Sequence, residues 1–209
     1  NCQVKNIYKQ FLFNENGDSQ VSLYTMKEGY SWLCGDSEIT EWWPWMNNLW
    51  IRPKHRFFIW LIAHNRLLTG SRMKSLNMTN SDLCNVCGDG QETVNHLFAR
   101  CRYSHAVLDE IGRWCGICFP EDDAINWWLK LRIRSATKKK IVGVILATSI
   151  YTLWRLRNEA KIELKIMHKS VVIRNIKNDV IGRLVALDLN IKGQYVRDWM
   201  ERLIRGWTG

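Results

Sequence analysis

The chain has 209 residues, 46% of them hydrophobic and 24% charged, which excludes a disordered polypeptide and leaves room for one ordinary domain or two small ones. Its net charge of +10 is unevenly placed: residues 1–129 hold 12 Lys and Arg against 14 Asp and Glu, and residues 130–209 hold 18 against 6. No run of eighteen apolar residues occurs, so no membrane span is expected, and seven cysteines are too sparse for a secreted disulfide framework but suit a reducing compartment.

In chain order, Val4, Ile7, Tyr8, Phe11 and Leu12 recur at helical spacing and predict a short helix over 3–13. Residues 14–40, with Gly17, Gly29 and Gly35, read as a polar loop, and 42–49 as a helical turn. Pro53 can open a helix because its missing N–H costs nothing there. That helix is expected over 53–68, with Phe57, Trp60, Leu61, His64 and Leu68 on one face and His64 read as a core histidine. Thr69-Gly70 ends it, and 71–76 form another short helix. A helix over 103–114 carries Val107, Leu108 and Ile111, and Gly116 and Pro120 break the chain after it. Asp122 and Asp123 precede residues 124–131 and read as helix N-terminal acceptors, not as catalytic carboxylates.

Three further helices are expected in the basic end. The first, over 137–166, is apolar all round between Ile141 and Trp154 and so is buried there, with Arg155, Arg157, Lys161 and Lys165 on its later surface. The second, over 170–187, has a stripe of Ile173, Ile176, Val180, Leu184 and Leu187, and Gly193 follows it. The third, over 195–207, repeats the pattern with Val196, Trp199, Leu203 and Trp207. Few strand signals appear. The fold class is mainly α: a helical domain with an inserted Cys-Cys-His-Cys loop and a basic C-terminal helical bundle, divided as 1–129 and 130–209.

One short segment carries chemistry. Cys84-x2-Cys87-x8-His96-x4-Cys101 places three thiols and an imidazole within eighteen residues. Zn2+ takes four N or S ligands in a tetrahedron, and a closed set of this kind is what a single structural zinc ion needs. Gly88 and Gly90 let the backbone fold over the metal. The plain alternative is that the cysteines are small buried apolar residues and His96 a satisfied polar one. Cys115-Gly116-Ile117-Cys118 supplies a second Cys-x-x-Cys that could join Cys84 and Cys87 in an all-cysteine site, and His105, one helical turn after Cys101, could replace a ligand.

The flanks of this segment bring a family into view. Pro53-Lys54, Phe57-Phe58-Ile59-Trp60, Arg66-Leu67-Leu68-Thr69, Cys84-Asn85-Val86-Cys87-Gly88, Glu92-Thr93-Val94-Asn95-His96-Leu97-Phe98 and Cys101 resemble the zinc-binding reverse-transcriptase domain near the C-terminal end of plant LINE-type non-LTR retrotransposon polyproteins. Ile150-Tyr151-Thr152-Leu153-Trp154-Arg155-Leu156-Arg157-Asn158 is similar to a second block that follows the zinc segment in such proteins, and Val4-Lys5-Asn6-Ile7-Tyr8 to a short segment that precedes it. The resemblance implies a nucleic-acid-associated module lying after a polymerase, with Cys84, Cys87, His96 and Cys101 as zinc ligands and an intracellular, reducing setting, the nucleus favoured. The polymerase does not carry over: paired aspartates on a hairpin are needed to hold Mg2+, and the chain has no Tyr-x-Asp-Asp segment. No enzyme and no small-molecule substrate is expected.

The partner expected from the charge is RNA or DNA, contacted through Lys138, Lys139, Lys140, Arg155, Arg157, Lys161 and Lys165. Lys138 to Lys140 start a helix, where the dipole disfavours cations, so their clustering suggests another use. The alternative is a domesticated retroelement fragment serving as a protein-binding scaffold, possibly in a ribonucleoprotein. Its interface would come from the tryptophans, twelve in all and clustered at Trp42, Trp43, Trp45, Trp50, Trp127 and Trp128.

Overall fold

A computed structural model describes residues 43–119, 131, 133–187 and 193–206, all within the compact unit Glu41–Gly209. The expected helix over 3–13, the loop over 14–40, the Asp122-Asp123 cap with most of 124–131, and Trp42, Trp127, Trp128 and Trp207 lie outside the described residues. The described elements are α1 (Trp43–Met46), α2 (Pro53–Ala63), α3 (Gly70–Ser75), a π-helical turn (His96–Arg100), α4 (Arg102–Cys115), α5 (Ala136–Glu163), α6 (Lys169–Ala186) and α7 (Gln194–Arg205). Among the described residues, extended pairing is limited to one antiparallel bridge, Leu83 with Gln91. The mainly α expectation holds.

α5 is the central element. Ser135 caps it by accepting from the Lys138 N–H, and every residue from Ile141 to Ile150 is buried. A helix apolar on all sides has to be surrounded; here α2 and α6 pack on it, and α4 packs on α6 and on the π-helical turn. α6 buries one stripe, Val172, Ile176, Val180 and Leu184. α7 buries Val196, Trp199 and Leu203. Two indole N–H groups fasten α7 to α4: Trp199 donates to the Cys115 carbonyl at 2.9 Å and Trp114 to the Leu203 carbonyl at 3.0 Å. Satisfying the Trp199 donor inside the core is what lets a ring of this size be buried there.

α2 corrects the sequence reading. It ends at Ala63, and its inner face is His55, Phe58, Ile59 and Ile62. Phe57 is 61% exposed, Leu68 is exposed, and His64 lies at the surface, not in the core. Both faces of this helix are apolar, so periodicity alone could not choose between them. The choice falls to Phe58, which meets Phe98 and Tyr151 edge-on at 6.3 and 5.6 Å and lies 5.8 Å from Trp154.

His55 is 1% exposed, 4.5 Å from the Tyr151 ring, and its Nε2 has no hydrogen-bond partner. Burial lowers its pKa to about 4, reinforced by Lys54, Arg52 and Arg183 and opposed by Asp179. The unfolded chain therefore binds a proton that the folded one refuses. The stability this ring contributes is full above about pH 6.5 and declines as the pH falls toward 4. His55→Phe, which keeps the ring contact, should reduce the loss of unfolding free energy between pH 7.5 and 5.0 by about 2 kcal/mol in urea titrations. An unchanged pH dependence would show that burial does not lower the His55 pKa in the fold.

Candidate metal centre

The metal segment is built from a turn and a widened helix. Cys84 and Cys87 lie on one tight loop in which the Gly88 N–H donates to the Cys84 carbonyl at 2.9 Å and the Cys84 N–H to the Gly90 carbonyl at 3.0 Å. The Leu83–Gln91 bridge closes the base of that loop. Gly90 is obligatory in two ways: its φ is +69°, and a Cβ there would come within 3.1 Å of the His96 ring.

His96 and Cys101 are five residues apart. In a regular α-helix that spacing turns them about 140° away from one another. The π-helical turn resolves this, because the Cys101 N–H donates to the His96 carbonyl in an i→i+5 bond and the wider turn brings both side chains to one side. Thr93 Oγ1 receives the His96 N–H at 2.9 Å, fixing the start of the turn. Cys101 then doubles as the N-cap of α4.

The result is a cluster in which one donor atom from each of Cys84, Cys87, His96 and Cys101 lies within 4.8 Å of the others. Cys87 Sγ and His96 Nε2 are 3.3 Å apart. Cys84 and Cys101 are fully buried. Three thiols and one imidazole, converging with no carboxylate among them, match the donor preference and closed geometry of Zn2+. Cys101 is the readiest thiolate: the Cys84 thiol donates to it and holds it down to about 5 against the opposing effect of burial, with the Ser104 and Tyr103 N–H groups assisting. The same pairing and burial push Cys84 up, and burial pushes Cys87 up. Cys115, buried and raised to about 12 by desolvation, is not in the cluster; neither are Cys118, which is exposed, and His105. The all-cysteine and His105 alternatives therefore lapse.

Glu92 is the residue supporting the site that sequence reasoning passed over. Its carboxylate is fully buried, and Oε1 accepts from the Gly70 N–H at 2.7 Å, from Arg157 Nε at 2.8 Å and from Arg157 Nη2. Its carbonyl accepts from the Ser71 N–H and hydroxyl, and its own N–H donates to the Asp82 carbonyl. A Cβ on Gly70 would lie 3.1 Å from the Asp82 carbonyl oxygen, so the close approach of α3 to this strand-like segment needs glycine. Glu92 thus ties the metal loop to α3 and to the second half of α5. The signal was present as the Glu92-Thr93 and Arg157-Asn158 pairs of the two resembling blocks, but nothing in either block says that they touch. At the other side of the loop, Arg102 Nη2 donates to the Cys87 carbonyl at 2.7 Å.

The residues expected to contact nucleic acid are not gathered into one patch. Arg157 is 3% exposed and spent on Glu92, with its guanidinium 4.8 Å from the Trp154 ring centre, so it is withdrawn from the surface set. Lys161 is half-buried against Met73, and burial lowers its pKa. The lysine run has a structural use: Lys138 lies over Trp199 and Tyr195, Lys139 over Trp45 and Lys140 over Trp50, at 4.7 to 5.5 Å. Such cation–π contacts offset the unfavourable dipole at this helix start. Lys140, Arg155 and Lys165 remain exposed, Arg155 beside Glu159. Among tryptophans whose side chains are described, Trp45 and Trp199 are buried, Trp50, Trp60, Trp114 and Trp154 half-buried, and none exposed. No helix among the described residues is long and apolar enough to cross a membrane.

A helical scaffold that brings three cysteines and a histidine together around a buried point, with no carboxylate in the cluster, has the donor set of a zinc-binding module. Residues 24–107 match the family model for zinc-binding in reverse transcriptase, in agreement with the resemblance carried by the sequence blocks. The match covers the zinc-binding region and not the catalytic polymerase domain. No curated protein and no solved structure matches the chain.

Proposed function

We propose that this chain is a non-catalytic nucleic-acid-binding module, stapled by one structural Zn2+ on Cys84, Cys87, His96 and Cys101 and derived from the C-terminal region of a non-LTR retrotransposon reverse transcriptase. The observation that carries the nucleic-acid reading is the charge division, 18 Lys and Arg against 6 Asp and Glu over residues 130–209. The family match over 24–107 supports it. The labour divides along the chain: the metal segment and the helices flanking it supply the braced architecture, and residues 130–209 supply most of the phosphate contacts, led by the exposed Lys140, Arg155 and Lys165. A reducing intracellular setting, the nucleus first, fits free thiols that ligate a metal.

Binding to generic duplex DNA and to RNA should weaken steeply with salt, because each neutralised phosphate releases counterions. Changing Lys140, Arg155 and Lys165 together to Ala should reduce the slope of log K against log salt by about 2 to 3 for duplex DNA. Affinity that ignores salt, or a slope unaltered by the triple change, would count against the assignment. The alternative, a domesticated protein-binding scaffold, would show itself as salt-insensitive binding to a protein.

A further inference from the structure

The net charge of residues 1–129 hides an internal asymmetry. Between Glu41 and Asp82 the chain has no acidic residue at all, yet it carries Arg52, Lys54, Arg56, Arg66, Arg72 and Lys74. This acid-free stretch contains α2, whose outer face is aromatic. Phe57 and Trp60 stack at 5.8 Å with their planes 12° apart, and Trp60 lies 4.4 Å from the His64 ring, so three π-systems continue along one helix face. Phe57, at the N-terminal end of the row, is 61% exposed.

At about 100° per residue, Lys54 and Arg56 fall on the two flanks of that row. Lys54 also lines a cleft of about 300 Å3 together with Arg52 and Arg155. Arg52 is paired there with Asp179 and Arg155 with Glu159. The flank of the aromatic row that carries Lys54 thus meets a cleft lined by three cations and two carboxylates, in which Lys54 has no carboxylate partner among the ion pairs of the described residues and which reaches the exposed Arg155 of α5.

Resting on the nucleic-acid reading above, we propose that the outer face of α2 is a stacking platform for single-stranded nucleic acid, with a base on Phe57 and the adjoining backbone toward Lys54 and Arg155. Aromatic rings on a helix surface serve protein interfaces as readily as bases. What favours a polyanion here is the lack of Asp and Glu in the forty-residue stretch of sequence that carries these rings, together with Lys54 and Arg56 on their two flanks. A base needs only a π-face and a nearby cation for its phosphate, and both are present.

The test uses the full chain and two probes, oligo(U) and oligo(dT), with affinities taken across a salt series. Phe57→Ala and Phe57→Leu, at so exposed a position, should leave the melting temperature unchanged. Each should weaken binding about 5- to 150-fold with the salt slope intact, since stacking releases no counterions. Phe57→Trp should retain the parent affinity, and Lys54→Ala should reduce the slope by about 0.7. A weaker effect on one probe than on the other would set the RNA or DNA preference of the platform. If Phe57→Ala and Phe57→Leu bind both probes as the parent does, the platform is overturned while the nucleic-acid reading stands. If the parent chain binds neither probe nor duplex, both fall, and a protein occupant of this face takes their place.

Discussion

Cys101→Ser should cost the chain its zinc and most of its folded structure around residues 83–101. Serine is itself a good N-cap, so this change spares the start of α4 and isolates the loss of the ligand. Structural zinc contributes on the order of 10–16 kcal/mol in zinc-finger peptides, whereas a whole domain is stable by about 5–15 kcal/mol. The metal loop is not an appendage: Leu97, Phe98 and Cys101 are buried in the common core, and Phe98 packs on Phe58 of α2. Chelation of the parent chain should therefore lower the melting temperature of the helical unit as a whole. Amide exchange should be lost first over 83–101 and then in α2 and α4. Identical melting curves with and without chelator would show that the loop folds without metal.

The second large effect is expected at a site with no ligand. Arg157→Met should destabilise the fold by about 3–5 kcal/mol, because it leaves the Glu92 carboxylate charged and buried with only the Gly70 N–H as partner. Glu92→Gln with Arg157→Met should recover about 1–3 kcal/mol relative to the sum of the single changes, as residues in one network do. Denaturant midpoints of the four proteins decide this. A loss below about 1 kcal/mol for Arg157→Met would mean that the pair is solvated and that Arg157 is free for a phosphate after all.

What could be read in the sequence divides along physical lines. The ligand set was legible because metal chemistry restricts both residue type and spacing: Cys84, Cys87, His96 and Cys101 converge as the motif implied. α5, α6 and α7 were legible because long periodic segments have one obvious inner side, and α5 had no outer side at all over 141–150. α2 was misread because Phe57, Trp60 and Leu61 make as good a stripe as Phe58, Ile59 and Ile62, and only tertiary partners break the tie. The π-helical turn left no local mark, since its reason is the need to bring His96 and Cys101 to the same side. Charge was legible as a total and not as a surface: Arg157 counts as basic in a sequence, yet is neutralised by a partner 65 residues away. Lys138 and Lys139, both half-buried, are likewise committed to rings contributed by α7 and α1.

The zinc centre proposed on Cys84, Cys87, His96 and Cys101 braces the metal loop within the helical core. X-ray absorption at the zinc edge, on protein purified without chelator and assayed for metal content, tests it most directly. The expected result is one zinc per chain, with three sulfur ligands at about 2.3 Å and one nitrogen at about 2.0–2.1 Å, and loss of the metal in Cys101→Ser. Metal-free protein, a shell of four sulfurs that brings in Cys115 or Cys118, or an oxygen ligand in an open position would contradict it.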